Sequence, residues 1–446
     1  MKQKVLAGLL AALLAVGTLG CGQKEKITLP EPQGALAKAA YPEMASFPSY
    51  DDYKEYDSYQ KDYEAWQKTA DAQHRTEDYA DGLQPFFAAS IPEFLSGHAG
   101  QNVVYSPLNV YMALAMLAET TGGETRAEIL TLLGQDSVET LRTQSSDLWN
   151  DNYCNDGAFT SILGSSLWLG DGLQYNQKTV DTLAKDYYAS VFQGTMGSAD
   201  YDKQLQTWLD EQTGGLLTEQ AQNQHFDPET VLALATTIYY QAKWAAPFSE
   251  GATEPGIFHS PDGDVECDMM HQTDTMTYCW GEGFSAVERP MERGGSMWLI
   301  LPDEGVTPED LLRNPQVVNF LLEQRQWENQ KQLQVVQTIP KFDVTSAQDL
   351  KGGLQNLGVT KVFELGTADF SPMLEGDAAV SKVQHDARVK IDEEGCEAAA
   401  YTLMEMEGAY VPPEETVEFV LDRPFLFTIT AESGLPLFVG VVNHPA

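Results

Sequence analysis

The residue types that do chemistry are all present in this chain, but their spacing assembles none of the familiar catalytic constellations. There is no G-x-S-x-G nucleophile elbow, no H-E-x-x-H zinc pair, no G-x-x-x-x-G-K-[ST] phosphate loop and no G-x-G-x-x-G dinucleotide fingerprint. The seven histidines are scattered without ligand spacing. The five cysteines (Cys21, Cys154, Cys267, Cys279 and Cys396) contain no C-x-x-C pair. Acids are abundant, yet abundance without a pocket assigns no general acid or base. Enzyme chemistry is therefore disfavoured, and neither a metal nor an organic cofactor is expected. One stretch differs from the rest, Val389 to Pro413. A strand-like run ends at Glu393-Glu394-Gly395, small and apolar residues follow, and Pro412-Pro413 closes the segment. Split by strand parity, Cys396, Ala398, Ala400, Thr402, Met404, Met406 and Gly408 carry no charge. The other parity, Glu397, Ala399, Tyr401, Leu403, Glu405 and Glu407, holds all three acids. That alternation suits a strand with one buried and one wet face. A surface hairpin or an Ala-containing helix is the alternative.

The elements that must hold this stretch are readable in outline. Ser106-Pro107 is a helix start, a Ser cap followed by Pro at the first helical position, where its missing N–H costs nothing. An apolar helix through Met112, Leu114, Met116 and Leu117 follows. Thr125 to Leu133 reads as another helix, stopped by Gly134. Val231 to Trp244 is rich in β-branched and aromatic residues and predicts a long, mostly buried strand. Further strands are expected at 161–169, 296–301, 333–344, 387–392 and 437–442. Helices first and strands later argue for an α+β class.

Length and composition permit a large core, and the formal charge of −39 repels phosphate backbones and anionic lipid. Nucleic acid and electrostatic membrane binding are thereby disfavoured. Lys2 and Lys4 precede an apolar run from Val5 to Val16, which predicts an export signal over residues 1–20, too short to span a bilayer comfortably. Thr18-Leu19-Gly20-Cys21 resembles a bacterial lipobox, which implies lipidation of Cys21, a bacterial origin and a cell-surface location. Thr18 and Leu19 stand in the reverse of the usual order, so full secretion is the alternative. With Cys21 set aside, four cysteines permit disulfides in an oxidising compartment, and free thiols are the default expectation. Residues 21–82 read as an acidic tether. Within it, Tyr53, Tyr56, Tyr59, Tyr63 and Trp66 recur at helical spacing and share one helix face. Such a stripe docks on the body as a buttress or binds a cell-wall or partner surface.

Several long motifs then resemble one family. Glu393-Glu394-Gly395 with Ala398-Ala399-Ala400 is similar to the hinge of a serpin reactive loop. Phe419-Val420-Leu421-Asp422-Arg423-Pro424-Phe425-Leu426-Phe427-Thr428-Ile429 resembles the serpin C-terminal signature. The segment 102–109, the run 237–244 with Pro247-Phe248, Ile339-Pro340-Lys341-Phe342, and Asp349-Leu350 with Leu357-Gly358 resemble further serpin segments in the family's order. The resemblance covers residues 83–446.

It implies the serpin fold: three β-sheets, eight to nine helices and an exposed reactive-centre loop. It implies no enzyme but an inhibitor, a monomer, that forms a covalent acyl complex with a serine protease. Cleavage would free the loop to insert as a new central strand and carry the trapped protease away. By the family's loop length the scissile bond is Ala409–Tyr410, which suits an elastase-like or subtilisin-like pocket. One residue later, Tyr410 would suit a chymotrypsin-like one. The hinge is Glu393, Glu394, Gly395, Cys396, Glu397, Ala398, Ala399 and Ala400. Cys396 stands where the family prefers Thr or Ser, and Tyr401 where it prefers a small residue. Ser106, Asn109 and His385 match a polar cluster beneath the sheet, with Thr236 where Asn is usual. Glu393 and Lys341 match an ion pair at the top of the sheet near Trp244. The alternatives are a non-inhibitory carrier of the same fold and a surface adhesin that binds through its aromatic helix.

Overall fold

The structure, a computed structural model, describes residues 32–50, 53–71, 79–396, 413 and 415–445. The export-signal segment with Cys21, the hinge residues Glu397, Ala398, Ala399 and Ala400, and the Ala409–Tyr410 bond lie outside the described residues. In chain order the first nine strands are Ala35–Ala37 (β1), Val103–Tyr105 (β2), Cys154–Asn155 (β3), Thr160–Gly170 (β4), Ala189–Gly194 (β5), Leu232–Lys243 (β6), Thr253–Ser260 (β7), Gly263–Gly281 (β8) and Phe284–Pro290 (β9). The remaining eight are Ser296–Pro302 (β10), Gln330–Pro340 (β11), Phe342–Asp349 (β12), Gln384–Ile391 (β13), Gly395–Cys396 (β14), Thr416–Val420 (β15), Phe425–Thr430 (β16) and Pro436–Val442 (β17).

They form two hydrogen-bonded ladders. The main sheet runs β1-β5-β4-β6-β14-β13-β12, with β3 on β4; the second runs β15-β11-β8-β9-β10-β16-β17-β2, with β7 on β8. Where three sheets were expected, the 19-residue β8 is continuous and joins what would otherwise be two into one ladder. Eleven α-helices occur among the described residues. The count passes eight to nine because it includes pieces of five or six residues and a helix in the N-terminal segment.

Local chemistry explains the elements that frame the main sheet. Helix Pro107–Thr120 starts where Ser106 Oγ accepts the Asn109 N–H at 3.4 Å, and all its residues but Ala113 are buried. An all-round apolar helix of this kind belongs inside a large core. Helix Gly123–Leu132 ends before Gly134, whose φ of +68° only a glycine adopts readily. The run 333–344, expected as one strand, is two. It breaks at Pro340-Lys341, where the chain leaves the second sheet and enters the main one. Apolar residues continue on both sides of the break, so periodicity does not register the change of sheet.

Over the outer face of the main sheet lies helix Ala199–Gln212. Its Tyr201, Leu205, Trp208 and Leu209 pack on Trp168 and Phe192, whose rings stack 4.1 Å apart, and on Ala233 and Ala235 of β6. The N-terminal segment straps the sheet's edge through β1, and Tyr41 stacks on Trp149 at 5.1 Å. The striped helix is Tyr56–Asp71, with Tyr53 just before it. Its inner end is held by Arg293, whose guanidinium lies 4.5 Å from the Trp66 ring and 4.7 Å from Phe47 while pairing with Asp156 at 2.5 Å. Tyr56 at the other end is 60% exposed.

Candidate functional site

Strand β13 ends at Ile391, and Asp392 turns the chain back. Its Oδ1 accepts the N–H groups of Glu394 at 2.9 Å and Gly395 at 3.2 Å, the short-range bond that Asp makes readily in turns. The chain then enters the main sheet as β14. Gly395 pairs with Lys243 and Cys396 with Ala242 on one side, and Cys396 with Ile391 on the other. No side chain fits at the entry: a Cβ on Gly395 would lie 2.3 Å from the Ala242 carbonyl oxygen and 2.8 Å from Lys243 Cα. Cys396 is buried, as are Ala242 and Tyr240 on the same strand parity. Below this two-residue wedge no ladder joins β6 to β13 among the described residues. Among the described residues, 232–241 of β6 are paired only toward β4.

A clamp surrounds the wedge. Trp244 donates from Nε1 to the Asp392 carbonyl and from its backbone N–H to the Glu394 carbonyl, both at 2.9 Å. The Phe248 N–H donates to the Glu393 carbonyl at 2.8 Å. Lys341 Nζ meets the Glu393 carboxylate at 2.7 Å, and Thr253 Oγ1 donates to the same oxygen at 2.7 Å. Burial pushes the Glu393 carboxyl up, but its bonds from Lys341 and Thr253 outweigh that and hold it below the usual range. The same bond to Glu393 raises Lys341. Beneath lies a buried Arg289, 4.0 Å from the Phe248 ring and 5.2 Å from Trp244, donating to Gln337 Oε1 at 3.1 Å. Burial pulls its pKa down to about 10 against the pull of Asp274.

Lower on the seam sits a second cluster. His385 of β13 is buried and accepts the Ser106 N–H on Nε2 at 3.1 Å, with the Tyr105 ring edge-on at 5.6 Å. Acceptance at Nε2 requires the neutral ring with its proton on Nδ1, and Nδ1 has no partner among the described residues. Burial alone pulls the imidazole down to about 4. The Asn109 side-chain amide is also buried and, among the described residues, unpaired at both atoms. Thr236 of β6 is half-buried and shares a small cavity with His385, Leu234 and Val110.

The structure thus brings together Trp244, Lys341 and Glu393 at the top, with Glu394, Gly395 and Cys396, and Ser106, Asn109, Thr236 and His385 below. Arg289 and the Asp392 turn were not singled out in the sequence. The only signal for Arg289 is a lone cation in the strand-like run Ala286-Val287-Glu288-Arg289. Its partners lie far away along the chain. Among the described residues, no three His, Cys, Asp or Glu side chains are grouped to hold a metal. Cys154, Cys267, Cys279 and Cys396 are buried, and none of them forms a disulfide among the described residues.

Comparison with known proteins bears on the arrangement. The family model described as "Serpin (serine protease inhibitor)" matches residues 84–445. "Serpin-ZX" of Arabidopsis thaliana is 28% identical over 363 residues, covering 77% of this chain and 92% of that protein. "Plasminogen activator inhibitor 1" of Mus musculus is 27% identical over 369 residues, covering 77% of this chain and 87% of that protein. Among solved structures, Arabidopsis AtSerpin1 in its "Native Stressed Conformation" aligns with a TM-score of 0.71 at 26% identity, covering 83% of this chain and 99% of that one.

Proposed function

Because the chain belongs to the serpin family, we propose that it inhibits serine proteases as a suicide substrate, cleaved at about Ala409–Tyr410 and inserting its loop between β6 and β13. The observation that carries this reading is the wedge: Gly395 and Cys396 already occupy the seam, in register with both flanking strands. Continuing that register, each step along the loop moves one step back along β6. Ala398 then faces Tyr240, Ala400 faces Ile238, and Met406 faces Leu232. Uncharged Ala398, Ala400, Thr402, Met404 and Met406 keep the inward parity of Cys396. Glu397, Tyr401 and Glu405 point outward, with Tyr401 between Thr237 and Asp386.

The energetics are of the needed size. Holding an acyl-enzyme about a millionfold longer than normal takes roughly 8 kcal/mol. About ten newly paired strand positions, at roughly 0.5–1.5 kcal/mol per net hydrogen bond, supply a comparable amount. The Ser106–His385 contact and the Lys341–Glu393 pair act as gates that hold the seam closed until cleavage, so the native state is kinetically trapped. The small Ala409 favours an elastase-like or subtilisin-like target.

Export, lipidation at Cys21, a surface location and a bacterial origin belong to this proposal on the strength of residues 2–21 alone. A monomer suffices for the mechanism. The second reading, a non-inhibitory carrier or surface module, is favoured by Tyr401, a bulky residue within the inserting run. Incubation with elastase- and subtilisin-type proteases separates the two. A covalent, denaturant-resistant complex is expected; simple cleavage with the protease still active would overturn inhibition.

A further inference from the structure

Below the Gly395-Cys396 wedge, the seam opens into a cavity of about 160 Å³ between β6, β13 and helix Ala199–Gln212. An engineered apolar cavity of ~150 Å³ admits benzene, so one aromatic ring fits in a space of this size. Its walls are suited to a ring: Trp168, Leu205, Leu209, Phe226 and Ala235 contribute apolar surface. Two polar groups in the wall lack the partners they need. Thr237 Oγ1 is buried with no hydrogen-bond partner among the described residues. Asp386 is half-buried and, among the described residues, accepts only neutral amides, Gln224 Nε2 at 3.0 Å and Gln384 Nε2 at 2.7 Å, with no cation in ion-pair contact.

An anionic carboxylate withdrawn from water without a counter-charge is costly, and burial indeed raises the Asp386 carboxyl above its usual range. The other charged groups at the cavity do not neutralise it. Lys382 is exposed at the rim and pulls only through space. His225 is engaged by Asp202 at 3.4 Å, and Asp227 adds a further negative charge. The strongly acidic molecule as a whole also concentrates small cations near its surface.

We propose that this cavity is a binding site for a small amphipathic monocation, an aromatic ring bearing a primary ammonium group. The ring lies among Trp168, Leu205 and Phe226, and the ammonium pairs with Asp386. The site is built entirely from described residues. Its functional consequence rests on the insertion reading above: the register places residues 401–405 opposite Thr237 to Ala233, so an inserted strand would fill the same space. The ligand would then bind only the uninserted protein and slow its conversion.

The test uses 2-phenylethylammonium as probe and 2-phenylethanol as its neutral counterpart, titrated calorimetrically into the intact full-length protein at neutral pH. Saturable binding of the ammonium is expected, at least tenfold tighter than the alcohol, and weakened at least tenfold by Asp386→Asn. Ala235→Leu, which fills the cavity and leaves Asp386 in place, should abolish it. If Asp386→Asn fails to fold, the ammonium-to-alcohol ratio on the unaltered protein decides. No saturable binding, or equal binding of both probes, overturns the site. Loop-cleaved protein should bind neither probe. Undiminished binding after cleavage would refute the insertion register while leaving the cavity site standing.

Discussion

Gly395→Ala tests the wedge with a single methyl group. In the structure that methyl would sit 2.3 Å from the Ala242 carbonyl oxygen and 2.8 Å from Lys243 Cα. Carbon–oxygen contacts rarely close below about 3.3 Å, so the strand would need to back away by roughly 1 Å. Both obstructing atoms are backbone at the end of β6, just past the ten positions that β4 holds on its other side, where the Lys243 carbonyl accepts the Glu292 N–H at 2.8 Å, so β6 yields less readily than a two-residue wedge. The wedge must move instead, losing its pairing with Lys243 and Ala242 and uncovering Cys396. Overpacking of this kind costs about 1–3 kcal/mol. Backing out relieves the clash before cleavage, but every later stage of insertion holds residue 395 at the entry and carries the full cost. Insertion should slow by about 5–150-fold, while the first cleavage at the scissile bond, about fourteen residues further along the chain, keeps its rate. The race between insertion and deacylation then shifts toward release. The assay is titration of a subtilisin- or elastase-type protease, counting covalent complex against cleaved inhibitor. The variant should need several molecules per protease inactivated where the unaltered protein needs about one. An unchanged ratio would show that close packing at Gly395 plays no part in insertion.

Three further perturbations report on the gates and the strap. His385 is neutral in the fold with a pKa near 4, against about 6.5 unfolded, so the unfolded chain takes up the proton first as pH falls. Its contribution is complete above pH 6.5 and is lost between there and pH 4, about 3 kcal/mol in all. Denaturant midpoints should therefore fall more steeply over that range in the unaltered protein than in His385→Gln; parallel curves would refute the assignment. Lys341→Met leaves Glu393 with Thr253 as its side-chain donor, at a cost of about 1–3 kcal/mol. Inhibitory activity should then decay several-fold faster on warming, and an unchanged half-life would count against the gate. Arg293→Ala strips Asp156 of its cation and Trp66 and Phe47 of theirs, at about 2–3 kcal/mol. Limited proteolysis within residues 32–71 should accelerate, and equal cleavage rates would show that Arg293 does not anchor the segment.

What the sequence disclosed and what it withheld divide along a physical line. Local rules sufficed for the Ser106 cap, the strand that became β6 and the helical spacing of Tyr59, Tyr63 and Trp66. Each depends on neighbours a few residues away. Resemblance singled out Lys341, Glu393 and Trp244, and the structure places them together around the wedge. Arg289 was missed because its ring partners, Trp244 and Phe248, come from another segment, and Arg293 because it meets Trp66 only across the fold. The break at Pro340-Lys341 escaped notice because a change of sheet leaves no mark on alternation. The Asp386 cavity needs three elements at once, which no single stretch of sequence can announce.

The most direct test compares the thermal melting of intact protein with that of protein cut once within residues 397–412. Insertion adds about ten ladder bonds worth roughly 1 kcal/mol each, and a chain of this size loses about 0.8 kcal/mol of stability per degree near its midpoint. The cut molecule should melt higher by about 10 °C or more. A cut molecule that melts at or below the temperature of the intact one would contradict the account.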